Sequence, residues 1–281
     1  VYFKMSRALL DKSERLLQTT TERTLQETKA WMNTTLTMLE TQRDTIEYED
    51  MEVPDMTDYI KHTVNQNPAY PDGLYVALTD GSLHHAPFVA GPDYDPTKKN
   101  WYQDGLKSDD FILGDAYVDE NSQSYVVGAS GILRARDGSV RGVAAADVYL
   151  DSISNIVSGI RIEDTGGIFL VDTRTDTIIG HRDPSVTGKI LSQMNEGMYA
   201  YAGQQIRQGK TVLSLYDNTY IQVENVPGSD WVAVAFVSRG EVLQELRELT
   251  ASMLVVAVLA VQVLILLVVF QVRRVIGRPV K

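Results

Sequence analysis

The residues able to do chemistry gather in a few places along this 281-residue chain. Asp147 stands in the run Ala144-Ala145-Ala146-Asp147-Val148, where strand alternation sets it either toward solvent or among apolar neighbours. A buried carboxylate without a partner is costly, so the second placement demands donors or a cation beside it. Trp101 and Tyr102 follow a stretch rich in Gly, Pro and Asp and read either as core aromatics sealing a loop or as walls of a site. His84 and His85 lie just past a turn at Asp80-Gly81. Adjacent strand residues point to opposite faces, so they make a poor metal pair and read as polar surface. Phosphate-binding loop, HExxH, calcium-loop and Ser/His/Asp patterns are all missing from the sequence. The chemistry on offer is binding, and no catalytic residue, metal or cofactor is expected.

Composition supports a folded chain with acidic surroundings. Apolar residues make up 44% and charged residues 22%, enough for a core and against long disordered stretches. The net charge of -11 repels phosphate backbones, so nucleic acid is not an expected partner. Cysteine is absent, which removes disulfides, thiolate metal sites and thiol nucleophiles.

The elements that must position these residues can be read from periodicity. Residues 4–49 hold neither Gly nor Pro, and Leu25, Met32, Leu36, Leu39 and Ile46 form one helical stripe, preceded by Leu9/Leu10 and Leu16/Leu17 a heptad apart. This predicts a long stalk helix over residues 1–50. A second helix is predicted at Thr57–Asn65, ended by Asn67-Pro68. Strands are then predicted at Leu74–Leu78, Leu83–Phe88, Phe111–Tyr117, Ser124–Ala135 and Val140–Tyr149, with a short helix near Trp101–Leu106. After a helix at Leu150–Val157 a second strand set follows: Gly167–Val171, Thr177–Gly180, Val212–Leu215, Tyr220–Glu224 and Trp231–Val237, with residues 188–205 partly helical. The two halves repeat one plan. The fold class is α+β, with modules at 51–158 and 159–238 and a connecting helix at 239–250.

From Leu249 to Val272 no residue is charged, and between Ala251 and Val272 only Ser252, Gln262 and Gln271 are not apolar. About 20 such residues suffice to cross a bilayer, so residues 251–272 are expected to span one. Val242, Leu243, Leu246 and Leu249 share a helical face, and nothing after Gly240 signals a break in this rod. Arg273, Arg274, Arg278 and Lys281 follow the span, while Glu241, Glu245 and Glu248 precede it. The positive-inside bias places the C-terminus in the cytoplasm and residues 1–250 outside. The opening Val1-Tyr2-Phe3, without methionine or signal peptide, reads as the exit of an earlier membrane helix.

A long first helix, two small α/β modules in tandem and a membrane helix together resemble the double Cache sensor domains of bacterial chemoreceptors and sensor kinases. The segment Tyr94-Asp95-Pro96-Thr97-Lys98-Lys99-Asn100-Trp101-Tyr102 is similar to that family's YDPxxRxWY signature, with Lys99 at the arginine position. Gly105 replaces the alanine usual after the aromatic pair. Ile276-Gly277-Arg278-Pro279 looks like the start of a HAMP linker at 273–281, and His181-Arg182-Asp183-Pro184 like a structural turn of the membrane-proximal module. The resemblance implies two PAS-like antiparallel modules and a ligand set of Tyr94, Lys99, Trp101, Tyr102, Tyr117, Asp119 and Asp147. In this set Asp119 and Asp147, helped by Tyr117 and Tyr102, suit an ammonium group with three donors. Lys99, Tyr94 and Trp101 suit a carboxylate, although lysine lacks the bidentate fork of arginine.

What the resemblance implies is a ligand sensor in a bacterial plasma membrane. The expected partners are a small amino acid or amine, the membrane, and a second copy paired through the stalk and membrane helices. The alternatives are a small carboxylate or a pyrimidine or purine as ligand, or an interaction ectodomain with a vestigial pocket. A membrane-tethered enzyme is disfavoured by the missing motifs.

Overall fold

The computed structural model describes the backbone of residues 2–276 except 121, 195, 196 and 212. Side chains are described from 14 to 271, apart from those four and 16, 245–250, 253 and 257. Leu9, Leu10, Leu16, Leu246 and Leu249, the basic residues Arg273, Arg274, Arg278 and Lys281, and the segment after Ile276 therefore lie outside the described side chains. Val212, the predicted start of a strand, lies outside the described residues.

Helix α1 (Tyr2–Tyr48) forms because no Gly or Pro interrupts it, and its buried face is the predicted stripe. Leu17, Leu25, Met32, Leu39 and Ile46 are buried, while Leu36 packs at the margin. Each fully buried Leu or Ile contributes on the order of 1.5–3 kcal/mol. Thr21, Thr24, Thr28 and Thr35 share that face. The hydroxyls of Thr21 and Thr24 donate to the helix's own carbonyls, at 2.7 and 2.8 Å. Helix α2 (Val53–Thr63) starts four residues before the predicted position, because Pro54 fits a first turn.

Strands β1 (Tyr75–Leu78), β2 (Leu83–His84), β3 (Ile112–Val118), β4 (Tyr125–Arg134) and β5 (Val140–Tyr149) form one antiparallel sheet in the order β2-β1-β5-β4-β3. Helix α3 (Asn100–Gly105) lies on it, and α4 (Leu150–Ser158) leads to the second sheet. There β6 (Gly167–Asp172), β7 (Thr177–Gly180), β8 (Ser214–Tyr216), β9 (Thr219–Asn225) and β10 (Trp231–Ser238) take the order β7-β6-β10-β9-β8, with α5 (Gly197–Arg207) alongside. The order is the same in both sheets, so the repeated plan of the sequence is a repeated topology. One core joins them: Leu39 and Ile46 of α1, Ala144 and Ala146 of β5, and Leu170 and Ala233 of the second sheet share a cluster.

The two sheets also meet across β3. Arg174, in the β6–β7 turn, pairs with Asp115, and the Ala116 N–H donates to buried Asp172 at 3.4 Å.

Helix α6 (Arg239–Val242) is capped by Ser238, whose hydroxyl oxygen accepts from the Gly240 N–H at 3.1 Å. It is followed by α7 (Gln244–Ile276). The uninterrupted rod is thus corrected: Leu243 takes φ -91° and ψ -1°, ending α6 where Val242 packs into the core. Within α7, Leu254–Gln271 is long and apolar enough to cross a membrane, and none of it is buried against the protein.

Candidate functional site

Alternation on β5 decides where Asp147 goes. Ala144, Ala146 and Val148 face the shared core, so Val143, Ala145 and Asp147 face α3. On that face a cavity of about 500 Å³ opens between the sheet, α3 and the loop after β2. Asp147 lies in its wall, 4% exposed. The hydroxyls of Tyr75 and Tyr117 donate to its Oδ1 at 3.1 and 2.5 Å.

Burial pushes the Asp147 carboxyl up to about 7, against the opposing pull of the Tyr117 hydrogen bond. Burial, followed by the neighbouring Asp147, holds both phenols well above their usual range, so they remain donors. Gly128, opposite Asp147 in the register, lies against the Tyr117 ring. A Cβ there would stand 3.4 Å from the Tyr117 ring.

Asp119 lines the same cavity just past the end of β3, two strands from β5. Its Oδ2 accepts from the Ser122 N–H at 2.6 Å, and its own N–H donates to the Ser124 carbonyl at 2.9 Å, which shapes the end of β3.

The opposite end is built by the signature segment. The Asp95 side chain accepts from the Thr97 N–H at 3.0 Å, starting the turn that leads into α3. Trp101 sits edge-on to Tyr75, ring centroids 5.0 Å apart. Burial pushes the Tyr94 hydroxyl up to about 12, opposed by a hydrogen bond with Trp101. Lys99 Nζ lies 4.6 Å from the Tyr94 ring centre and 2.7 Å from Glu120 Oε1. The cation is therefore at the cavity with an internal carboxylate partner.

Six of the seven residues in the expected ligand set line the cavity: Tyr94, Lys99, Trp101, Tyr117, Asp119 and Asp147. Tyr102 does not. It packs with Ala77, Val143 and Ala145 beneath α3, because successive helical residues point about 100° apart and only Trp101 faces the cavity. The sequence reading missed Tyr75, His85, Phe88 and Thr175, which also line it. His84 and His85 do point apart, but only His84 meets polar neighbours near the surface, at Thr57 (3.2 Å). Tyr75 was legible in principle, since it shares a face with Ala145 across the register. Thr175 was not, because it arrives from the second sheet. Among the described residues no group of three His, Asp or Glu side chains is placed to hold a metal.

Residues 4–246 match the model of the Cache domain family (dCache_1). The chain is 23% identical over 251 residues to the methyl-accepting chemotaxis protein PscA of Pseudomonas syringae pv. tomato, covering 87% of this chain and 38% of that protein. It is 27% identical over 198 residues to the methyl-accepting chemotaxis protein PctB of Pseudomonas aeruginosa, covering 69% of this chain and 30% of that protein. It thus spans well under half the length of these relatives. Its fold matches the ligand-binding domain of the Pseudomonas fluorescens chemoreceptor CtaA in complex with L-isoleucine, with a TM-score of 0.67, 19% identity and coverage of 86% and 99%. It also matches that of the Pseudomonas aeruginosa amino acid chemoreceptor PctC in complex with GABA, with a TM-score of 0.62, 20% identity and coverage of 80% and 100%.

Proposed function

This chain belongs to the Cache domain family, and from that premise we propose that it is the extracytoplasmic sensor of a chemotaxis receptor that binds a small amino acid or amine. The observation that carries the reading is Asp147, a buried carboxylate held by two phenol hydroxyls in the wall of a ligand-sized cavity. A primary ammonium satisfies that group as a cation and a donor, and isoleucine and GABA in the similar solved domains both carry one. The module at 51–158 is membrane-distal and takes the ligand. The module at 159–238 is membrane-proximal and relays its occupancy to α6 and the span. Residues 1–250 face outward, the C-terminus is cytoplasmic, and two copies pair through α1 and α7. The reading is one of binding without turnover.

The test is a thermal-shift and calorimetric screen of the full chain in lipid nanodiscs against amino acids, amines and their N-acetyl derivatives. A ligand of the folded state raises the melting temperature. Free amines are expected to bind and their N-acetyl forms to fail. Equal binding of both forms sinks the ammonium site, and a vestigial pocket shows itself as no shift with any compound.

A further inference from the structure

Among the described residues, His85 Nε2 is buried without a hydrogen-bond partner. The ring lines the cavity and belongs to a continuous aromatic wall. Tyr75 stands 4.7 Å from His85 between ring centres, His85 6.0 Å from Phe88, and Phe88 5.4 Å from Tyr94. One end of this wall is the phenol that holds Asp147, and the other is the ring beneath Lys99. A molecule anchored at Asp147 and reaching toward Lys99 thus lies between this wall and Trp101, in the cavity that the imidazole lines.

We infer that His85 is a specificity residue, hydrogen-bonding an uncharged amide or hydroxyl on the side chain of the ligand. The inference rests on the ammonium site proposed above and adds the class of side chain that the site prefers. Burial lowers the imidazole pKa, against the pull of Asp72 and Asp119, so the ring is neutral near pH 7. A neutral imidazole can accept from an amide N–H or donate to an amide oxygen, according to tautomer. An aliphatic side chain leaves Nε2 buried and unpaired, which is the larger energetic effect. An acidic side chain meets Asp119 and Glu120 in the same cavity.

L-Asparagine and L-leucine separate hydrogen bonding from shape, since their side chains have the same branched outline. Both are titrated by calorimetry against the full chain in lipid nanodiscs, in wild type, His85→Phe and His85→Gln. The expected result is that His85→Phe weakens asparagine about tenfold while leucine moves by less than about twofold. His85→Gln, which keeps a polar group at that height, is expected to restore most of the asparagine affinity. Leucine binding to both variants shows that they are folded. Asparagine indifferent to His85→Phe, or leucine falling as far as asparagine, overturns the inference and leaves the ammonium site standing. Neither amino acid binding the wild-type chain overturns this inference, while the ammonium site falls only if the screen of free and N-acetylated amines fails as well.

Discussion

Lys99 Nζ lies 2.7 Å from Glu120 Oε1, so the cation expected to meet a ligand carboxylate already has one. Lys99 is 34% exposed and Glu120 64%, which makes the pair a screened contact at the cavity mouth. Exchanging Glu120 for a ligand carboxylate is feasible at low cost.

Glu120→Gln should therefore strengthen binding of an α-amino acid by several-fold and leave its decarboxylated amine unchanged. Lys99→Ala should weaken the amino acid by about 1 kcal/mol, the scale of an exposed pair, and Lys99→Arg should match or exceed wild type. Calorimetry with an amino acid and its amine tests all three. Identical responses of the two ligands would place Lys99 outside the recognition of a carboxylate.

Asp147→Asn should weaken the same ligands by about tenfold or more, roughly 1.4 kcal/mol, with the melting temperature retained or raised. The sign of the pH dependence follows from a carboxyl raised to about 7 in the empty site. The ammonium needs the ionised form, so protons compete below about 7 and affinity should fall, approaching tenfold per pH unit. For folding the same group acts oppositely to a salt-bridged acid. The folded state holds a proton that the unfolded chain releases near its ordinary value of 3.8, so this group's contribution to stability declines as pH rises toward about 7. Affinity that is flat from pH 5 to 8, or equally pH-dependent in Asp147→Asn, would count against it.

Arg174 ties the second sheet to the cavity through Asp115, while Thr175 from the same turn lines the cavity itself. Ligand should protect the backbone amides of residues 172–177 against hydrogen exchange. Arg174→Ala should abolish that protection and change affinity by less than about threefold, the scale of a partly exposed ion pair. An exchange pattern at this turn that ignores ligand in the wild-type chain would exclude it as the route of coupling.

Both sheets were legible because alternation and turn residues leave period-two patterns, and the stripe of α1 because Leu25, Met32 and Leu39 recur at heptad spacing. Asp147 was legible as a lone acid on an Ala/Val strand. Tyr102 was misplaced because its neighbour Trp101 lies on a helix, where adjacent positions diverge, and a motif does not say which of the two faces the site. His85 was read as surface within a strand predicted to run to Phe88, whereas the strand ends at His84 and the direction of the next residue is set by the loop that follows. Thr175 and the Arg174 tie depend on contact between two sheets, which no local pattern records.

Gly105 carries the last prediction. It ends α3 on the sheet, where a Cβ would stand 2.4 Å from Val143 Cγ1 and 3.1 Å from Ser130 Cβ. The first distance is shorter than any real contact, and Val143 is held in the core with Tyr75, Trp101 and Tyr102. Alanine, although the better helix former, must therefore displace the Val143 side chain, lift α3 or push β5. Gly105→Ala should destabilise by about 1–3 kcal/mol, the usual range for overpacking. It should also weaken ligand binding, since Trp101 rides on the lifted helix. Val143→Ala removes the obstructing methyl groups and alone leaves a small cavity with its own cost. The double variant should be more stable than the sum of the two single effects predicts, by a coupling of about 1 kcal/mol or more. Denaturant titration of the four proteins measures that coupling, and calorimetry reports whether affinity returns with it. Additive effects would mean that the helix accommodates the methyl group elsewhere, and that its seat on the sheet does not set the position of Trp101.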